Sequence, residues 1–186
     1  VRSRQLFADK GLMAVVVDAP SDRQRAPFLN GFRQTEEHAA DLKATIAWAR
    51  ATAKVPVWLV GTSRGTQSAA YAATVLQGAD APDGVVLTAT ILSDDKQRPV
   101  PAMPLEQIKV PVLVVHHQQD GCSYCAYSEI PNLMAKLTHT PRSHLITATG
   151  GKNQGDACAA FAHHGFNGLE ADVVGQMADW ILAPAR

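Results

Sequence analysis

The stretch that most constrains this chain is an apolar segment, residues 57–60, that runs directly into Gly61-Thr62-Ser63-Arg64-Gly65. A helix-forming segment rich in small residues follows at once. This order predicts a strand, a tight turn and a helix, with Ser63 at the tip of the turn. Gly61 and Gly65, two residues before and after the serine, would let strand and helix pass close together. The first N–H groups of the helix would then face a position where negative charge can form beside the Ser63 hydroxyl.

Strand-like and helix-like segments alternate along the rest of the chain. Strands are predicted at residues 12–17, 56–60, 84–90, 111–116 and 144–148. Helices are predicted at residues 2–10, from an N-cap at Thr35 to about Lys54, at 65–77, at 130–137 and from about Leu169 onward, with one turn at 105–109. The run at 12–17 is continuously apolar, which is typical of a strand buried on both faces. The pattern predicts an α/β fold with a doubly wound, mostly parallel sheet flanked by helices, as a single domain over residues 1–186.

Composition excludes several functional classes. The 186 residues are 46% hydrophobic and 18% charged, with a formal net charge of zero, which fits one globular domain with a substantial core. Without a basic surplus we expect no nucleic-acid partner, and without an apolar run of roughly 18–20 residues we expect no membrane partner. We also expect no cofactor and no metal, because the histidines and cysteines lack paired ligand spacing.

Three residues could combine with the turn to make an acyl-transfer site. A serine hydroxyl needs a base within hydrogen-bond reach, and the base needs a third group to orient it. Strand–turn–helix sites of this kind take these groups in the order serine, acid, histidine, from the carboxyl ends of strands. Ser63 follows the strand at 56–60, Asp120 follows the strand at 111–116, and His164 lies between the last strand and the closing helix. These three are the candidate catalytic residues.

Each candidate has a rival. Ser63 could be a plain turn serine, and Asp94 or Asp95, which follow the strand at 84–90, could supply the acid instead. His163 competes with its neighbour His164 for the role of base. The pair at the end of the strand at 111–116, residues 116 and 117, is expected to line or support the site.

Three segments resemble the α/β-hydrolase superfamily, in particular its small, often exported bacterial hydrolases. They are residues 57–65, residues 111–122 (Pro-Val-Leu-Val-Val-His-His-x-x-Asp-x-Cys) and residues 158–170 (Cys-x-x-x-x-x-His-Gly-Phe-x-Gly-x-Glu). The resemblance covers almost the whole chain. It implies that Ser63 is the nucleophile, Asp120 the acid and His164, within His-Gly-Phe, the base. It also implies that the backbone N–H of Arg64 is one oxyanion donor.

The second oxyanion donor is harder to place. In this superfamily it comes from a loop after a strand that would lie upstream of Val1, so the N-terminal strands of the fold are expected to be lacking. The loop at residues 18–22 is the nearest alternative source. Loss of one such donor slows acyl transfer roughly 10²–10³-fold.

The three cysteines, Cys122, Cys125 and Cys158, allow at most one internal disulfide. Cys122 is two residues after the candidate acid and Cys158 six residues before the candidate base. If these loops converge, a Cys122–Cys158 bridge would hold them together, and it would imply an oxidising compartment such as the periplasm or the exterior. Three unpaired thiols in a cytoplasmic protein are the alternative. Cys122-Ser-Tyr-Cys125 does not open a helix in a thioredoxin-like pattern, so redox catalysis is not expected.

The sequence therefore predicts a metal-independent serine hydrolase that cleaves a carboxylic ester of modest size, with the loops at 19–34 and 93–104 lining the pocket. Thioesterase, amidase and peptidase reactions use the same three residues. The alternative from another class is a non-catalytic binding protein with this fold.

Overall fold

The computed structural model describes residues 2–183. Four parallel strands form one sheet in the order β1-β2-β3-β4. They are β1 (Trp58–Thr62), β2 (Gly84–Thr88), β3 (Val112–His117) and β4 (Ser143–Ala148). Thr62 pairs with Thr88, and Thr88 with Val115, so the strands end nearly level with one another. The loops that follow them therefore meet along one edge of the sheet.

Within residues 2–183, five α-helices flank this sheet: α1 (Arg4–Asp9), α2 (Glu36–Ala53), α3 (Arg64–Val75), α4 (Ile130–Ala135) and α5 (Glu170–Leu182). The predicted N-cap of α2 is confirmed, because the Thr35 hydroxyl accepts the N–H of His38 at 3.2 Å. The turn predicted at 105–109 is a short 3-10 helix, Leu105–Gln107. No helix within residues 2–183 combines the length and apolarity needed to cross a bilayer.

The core has two layers, one on each face of the sheet. Each strand lies beside the strand before it in the chain, so the sheet grows in one direction. Because crossovers between parallel strands are right-handed, the helices that connect these strands are expected on the same face of the sheet. Accordingly, Ala69 and Ala73 of α3 and Leu133 of α4 pack against one face. Val173 and Met177 of α5 pack against the other face, where side chains of α1 join them. The doubly wound α/β class predicted from the sequence is confirmed.

The strand predicted at residues 12–17 was wrong. This segment has no regular secondary structure, and Met13, Val15, Val16 and Val17 are exposed. Strand geometry needs a neighbouring backbone to pair with. β1 is an edge strand of the sheet, and no strand among residues 2–183 occupies its open side. The apolar run therefore has β-forming side chains but no ladder to join.

Candidate active site

Ser63 occupies the predicted sharp turn between β1 and α3. Its backbone angles are φ 52° and ψ −123°, in a region that residues with a side chain rarely adopt. The turn is held from both sides. The Ser63 N–H donates to the Thr88 carbonyl at 3.0 Å, and the Ser63 carbonyl accepts the N–H of Thr66 at 2.9 Å and its hydroxyl at 2.6 Å. This bonding fixes Ser63 at the carboxyl end of β1.

The two glycines of the turn have different roles. A Cβ on Gly61 would lie 2.5 Å from the Gly65 carbonyl oxygen, so strand and helix approach too closely for any side chain there. A Cβ on Gly65 would meet nothing within 4 Å. The prediction that a glycine is needed for close approach is confirmed for Gly61 and wrong for Gly65. The strand approaches the backbone of Gly65, whereas a side chain at Gly65 would point into open space.

Asp120 and His164 are hydrogen-bonded to each other. Asp120 follows β3, and His164 lies in a short 3-10 turn, His163–Gly165, ahead of α5. The Nδ1–H of His164 donates to Asp120 Oδ2 at 2.9 Å, and both side chains are buried. The other carboxylate oxygen of Asp120 accepts the N–H of Cys122 at 2.9 Å. Both oxygens of the carboxylate are thus occupied, and the imidazole has a fixed orientation.

The second ring nitrogen of His164 is unoccupied. Nε2 is buried and makes no hydrogen bond to any residue in the described part of the chain. The Ser63 hydroxyl likewise has no hydrogen-bond partner among residues 2–183, so the two side chains do not contact each other through a hydrogen bond here. They share the carboxyl edge of the sheet, with Ser63 two strands away from Asp120.

The rival acid has a different partner. The Asp94 side chain forms an ion pair with the Arg64 guanidinium. Asp94 also accepts the N–H groups of Lys96 at 2.9 Å and Gln97 at 3.2 Å. Burial by itself would raise the pKa of Asp94, but these hydrogen bonds together lower it below its usual value. Asp94 is therefore an ionised partner of Arg64, and it makes no hydrogen bond or ion pair to a histidine among residues 2–183.

Several solved structures share this architecture. A cold-adapted esterase from an Arctic intertidal metagenomic library superimposes with a TM-score of 0.62 and 16% identity, covering 96% of this chain and 74% of that chain. Dienelactone hydrolase from Anabaena variabilis gives a TM-score of 0.63 and 17% identity, covering 100% and 78% of the two chains. A protein of unknown function from Agrobacterium tumefaciens, named as a candidate α/β hydrolase, gives a TM-score of 0.54 and 15% identity, covering 96% and 72% of the two chains. The chain has the α/β-hydrolase fold.

Identities this low establish a shared fold, and function must be argued from the site itself. No protein-family model matches the sequence, and a search of curated proteins finds no match. The assignment of roles within this α/β-hydrolase fold therefore depends on the side chains described here.

The backbone around His164 explains the His-Gly-Phe motif. A Cβ on Gly165 would lie 2.1 Å from the Ala160 carbonyl oxygen, so only glycine fits this turn. Phe166 has a positive φ of 56° and packs into the core beside α5. These constraints set the position of His164 relative to β3.

His163, the rival base, faces elsewhere. Its Nδ1 lies 3.1 Å from the Gln119 carbonyl, and its ring stacks on His117 with centroids 4.2 Å apart. His117 accepts the Gln119 N–H at 3.0 Å and lies 2.9 Å from the Gly150 carbonyl through Nε2. The stacked pair links the acid loop, the base loop and the end of β4. His117 therefore supports the site, as the sequence suggested.

His116 is the second supporting histidine. Its Nε2–H donates to the Cys125 carbonyl at 2.8 Å and lies 3.6 Å from Asp120 Oδ2. Burial lowers the pKa of His116, which keeps the ring neutral beside the carboxylate. A neutral ring that donates through Nε2 leaves Nδ1 as an acceptor, and this atom has no partner among residues 2–183. The Cys125 carbonyl contact has no signal in the sequence.

Arg64 is the first residue of α3, so its backbone N–H has no carbonyl within the helix to bond. This is the predicted oxyanion donor. The Arg64 side chain extends away to Asp94 and lies over the Tyr124 ring, 4.7 Å from its centroid. In the loop at 18–22, the Ala19 N–H already donates to Asp18 Oδ1 at 2.8 Å. A second oxyanion donor from that loop would have to be another N–H group.

The two predicted pocket loops contact each other. Gln34 donates to the Arg98 carbonyl at 2.7 Å, and Gln97 bonds to Asn30. Arg33 also donates to the Ser68 hydroxyl of α3 at 3.1 Å. Two surface hollows, of about 340 and 320 Å³, are lined by residues outside this region, near Gln77 and near Trp48.

The structure joins Cys122 to Cys158 in a disulfide and leaves Cys125 as a buried free thiol. The bridge spans 36 residues and connects the loop of Asp120 to the loop of His164. It thus links the loops of the hydrogen-bonded residues Asp120 and His164 covalently. Cys122, Cys125 and His164 also form a group in which one sulfur or ring-nitrogen atom from each residue lies within 4.8 Å of the other two.

Proposed function

We propose that this chain is a serine hydrolase that cleaves a carboxylic ester of modest size through an acyl-enzyme. One observation carries the proposal: His164 donates through Nδ1 to Asp120 at 2.9 Å, while its buried Nε2 has no partner within residues 2–183. This is the arrangement of a general base held in one tautomer and ready to accept a proton. The similarity to an esterase and to dienelactone hydrolase supports the same reaction class.

In the first step Ser63 Oγ attacks the ester carbonyl carbon, and His164 Nε2 takes the hydroxyl proton. Asp120 orients the ring and stabilises the imidazolium that forms. The N–H of Arg64 donates to the oxyanion of the tetrahedral intermediate. When the intermediate collapses, the C–O bond to the alcohol breaks, and His164 returns the proton to the leaving oxygen.

In the second step water attacks the acyl group on Ser63. His164 again takes the proton, now from water, and then gives it back to Ser63 Oγ as the carboxylic acid leaves. No metal and no organic cofactor enters this proposal, since each proton transfer has an assigned side chain.

A fluorophosphonate probe tests the assignment of the nucleophile. We expect it to label the folded wild-type protein once, at Ser63, and to leave Ser63→Ala unlabelled. Ser128→Ala is the matched control, because Ser128 is an exposed serine in the short 3-10 helix Tyr127–Glu129, on a different element from Ser63, and its replacement should leave labelling unchanged. Absence of labelling in folded wild-type protein would favour the non-catalytic binding protein.

A substrate series separates the remaining enzyme alternatives. The series consists of an aryl ester, a thioester and an anilide of the same short acyl chain. If the site is an esterase, the ester should be cleaved fastest and the anilide slowest. A thioester or an anilide cleaved faster than the ester would reassign the protein as a thioesterase or an amidase with the same three residues.

The disulfide also supports a proposal for the compartment in which the protein works. A disulfide between two catalytic loops forms and persists in an oxidising environment. We infer that the protein works in the periplasm or outside the cell on a small-molecule substrate.

A further inference from the structure

A cluster of metal-binding side chains overlaps the candidate acid–base pair. Cys122, Cys125 and His164 each contribute one ligand atom, and these atoms all lie within 4.8 Å of one another. All three residues are buried. Cys122 is bonded to Cys158, and the Cys125 thiol makes a long hydrogen bond of 3.4 Å to the Ala89 carbonyl. The proposed hydrolytic mechanism uses His164 but gives the free thiol of Cys125 no role.

Two thiolates and an imidazole form a donor set that suits Zn²⁺. Cys122 and Cys125 are separated by two residues, as one ligand pair of a zinc site often is, and the third ligand, His164, comes from a distant loop instead of a second pair. At Zn–S distances of about 2.3 Å, two sulfurs in a tetrahedral site lie about 3.8 Å apart. A sulfur and a ring nitrogen in such a site lie about 3.6 Å apart, so the three ligand atoms, all within 4.8 Å of one another, need to close by at most about 1.2 Å. Opening the disulfide gives the Cys122 side chain the freedom to make that movement.

We propose that reduction of the Cys122–Cys158 disulfide creates a Zn²⁺ site from Cys122, Cys125 and His164, and that Zn²⁺ bound there inactivates the hydrolytic site. In the reduction an external dithiol supplies two electrons and two protons, becomes a disulfide itself, and leaves Cys122 and Cys158 as thiols. Zn²⁺ then displaces the thiol protons of Cys122 and Cys125 and releases both to solvent. Water completes the fourth position.

The two functions compete for one histidine, and this part of the inference rests on the proposed function. Coordination through Nε2 removes the lone pair that would accept the Ser63 proton. Coordination through Nδ1 breaks the 2.9 Å hydrogen bond to Asp120. Either geometry eliminates the base. With the disulfide intact, Cys122 cannot become a thiolate, and only Cys125 and His164 remain as ligands. The oxidised protein is therefore insensitive to Zn²⁺.

Zn²⁺ binding at this site depends on an external reductant, because the disulfide holds Cys122 and only a reduced Cys122 can contribute a thiolate. The site is therefore a sensor of both redox state and Zn²⁺.

The test measures Zn²⁺ binding directly, so its outcome does not depend on hydrolase activity. The protein is reduced with a dithiol, separated from it by anaerobic gel filtration, and titrated with Zn²⁺ against a chromophoric chelator. We expect one equivalent to bind to reduced wild type and none to the oxidised protein.

Cys125→Ser and Cys158→Ser form a matched pair, because each removes one of three cysteines. After the same treatment, Cys158→Ser should retain binding, and Cys125→Ser should bind more than about 100-fold more weakly. His164→Gln should also weaken binding.

Circular dichroism shows whether the reduced protein is folded before Zn²⁺ is added. Folded reduced protein that binds no Zn²⁺ would overturn the proposal, and so would equal affinities of Cys125→Ser and Cys158→Ser. If reduction unfolds the chain, Zn²⁺ should restore native ellipticity to wild type but not to Cys125→Ser; failure to restore it would also overturn the proposal. Ester hydrolysis by reduced wild type should be lost with one equivalent of Zn²⁺ and recovered with a chelator. If reduced wild type binds Zn²⁺ and its ester hydrolysis does not change, the Zn²⁺ site is supported and the proposed inactivation is rejected.

Discussion

The imidazole of His164 donates to the carboxylate of Asp120 at 2.9 Å, although the two residues are 44 positions apart in the chain. Asp120 holds this position because it follows β3, the backbone of Cys122 binds its other oxygen, and Cys122 is itself tied to Cys158. The bond fixes the tautomer in which Nε2 is free to accept a proton. The strongest predictions concern this pair and the turn that presents Ser63.

Replacing Asp120 with asparagine should nearly abolish turnover. An amide at this position can hold the ring in the wrong tautomer, and loss of the acid in a Ser-His-Asp site lowers kcat on the order of 10⁴-fold. Ester hydrolysis by Asp120→Asn and wild type, with folding checked by thermal unfolding, measures this effect. Asp94→Asn is the control, because Asp94 binds Arg64 and does not touch His164. A larger loss in Asp94→Asn than in Asp120→Asn would reverse the assignment of the acid.

Alanine at the two glycines of the turn should have opposite effects on stability. A methyl group on Gly61 would overlap the Gly65 backbone at 2.5 Å, so we expect Gly61→Ala to lower the free energy of unfolding by about 1–3 kcal/mol. Gly65→Ala places its methyl group in open space at the start of α3. Its unfolding free energy should stay the same or rise by up to about 1 kcal/mol. Urea denaturation of both variants measures the difference, and equal destabilisation would contradict the close approach of the Gly61 and Gly65 backbones.

The disulfide should be present in the isolated protein and should stabilise it. Denatured, unreduced protein should expose one free thiol per chain, from Cys125, and three after reduction. Closing a loop of 36 residues contributes about 4 kcal/mol in the chain-entropy treatment. Urea denaturation with and without a dithiol, both in the presence of a chelator, measures that difference. The double variant Cys122→Ser/Cys158→Ser should be unaffected by the dithiol. Three thiols before reduction would eliminate the bridge.

Stability should fall as the pH drops below neutral. Burial is the largest cause that lowers the pKa values of His38, His116 and His117 in the folded protein. Unfolded histidines, with pKa values of about 6.5, therefore take up protons before the folded ones do. The contribution of these three histidines to the free energy of unfolding should be constant above that value. As the pH falls from about 6.5 to the pKa of each folded histidine, that histidine should lower the free energy of unfolding by up to about 1.4 kcal/mol per pH unit.

Urea denaturation across this pH range measures the slope, and His38→Gln should reduce it. His38 is the suitable site because it lies in α2, outside the acid–base pair, and neither ring nitrogen has a partner within residues 2–183. A stability that rises on acidification would show that these rings are held in the charged form.

Much of the fold could be read from short-range patterns. The Thr35 cap, the helix after Ser63 and four of the five predicted strands depend on residues near one another in the chain, and the structure contains them. The strand expected at residues 12–17 failed for a non-local reason. Its valines favour extended backbone, but a strand also needs a partner ladder, and the composition of a segment cannot supply one.

The candidate site divides in the same way. The sequence by itself determined the strained turn at Ser63 and the order in which serine, acid and histidine occur, because both follow from local spacing and strand ends. Only the tertiary structure decided that His164 pairs with Asp120 while Asp94 pairs with Arg64, and that Cys125 lies beside His164. Those choices depend on which loops lie side by side once β1 to β4 are aligned. The residues in these contacts are 30 or more positions apart in the chain. The direction in which each side chain points decides whether they meet, and no periodic pattern in the sequence predicts that direction.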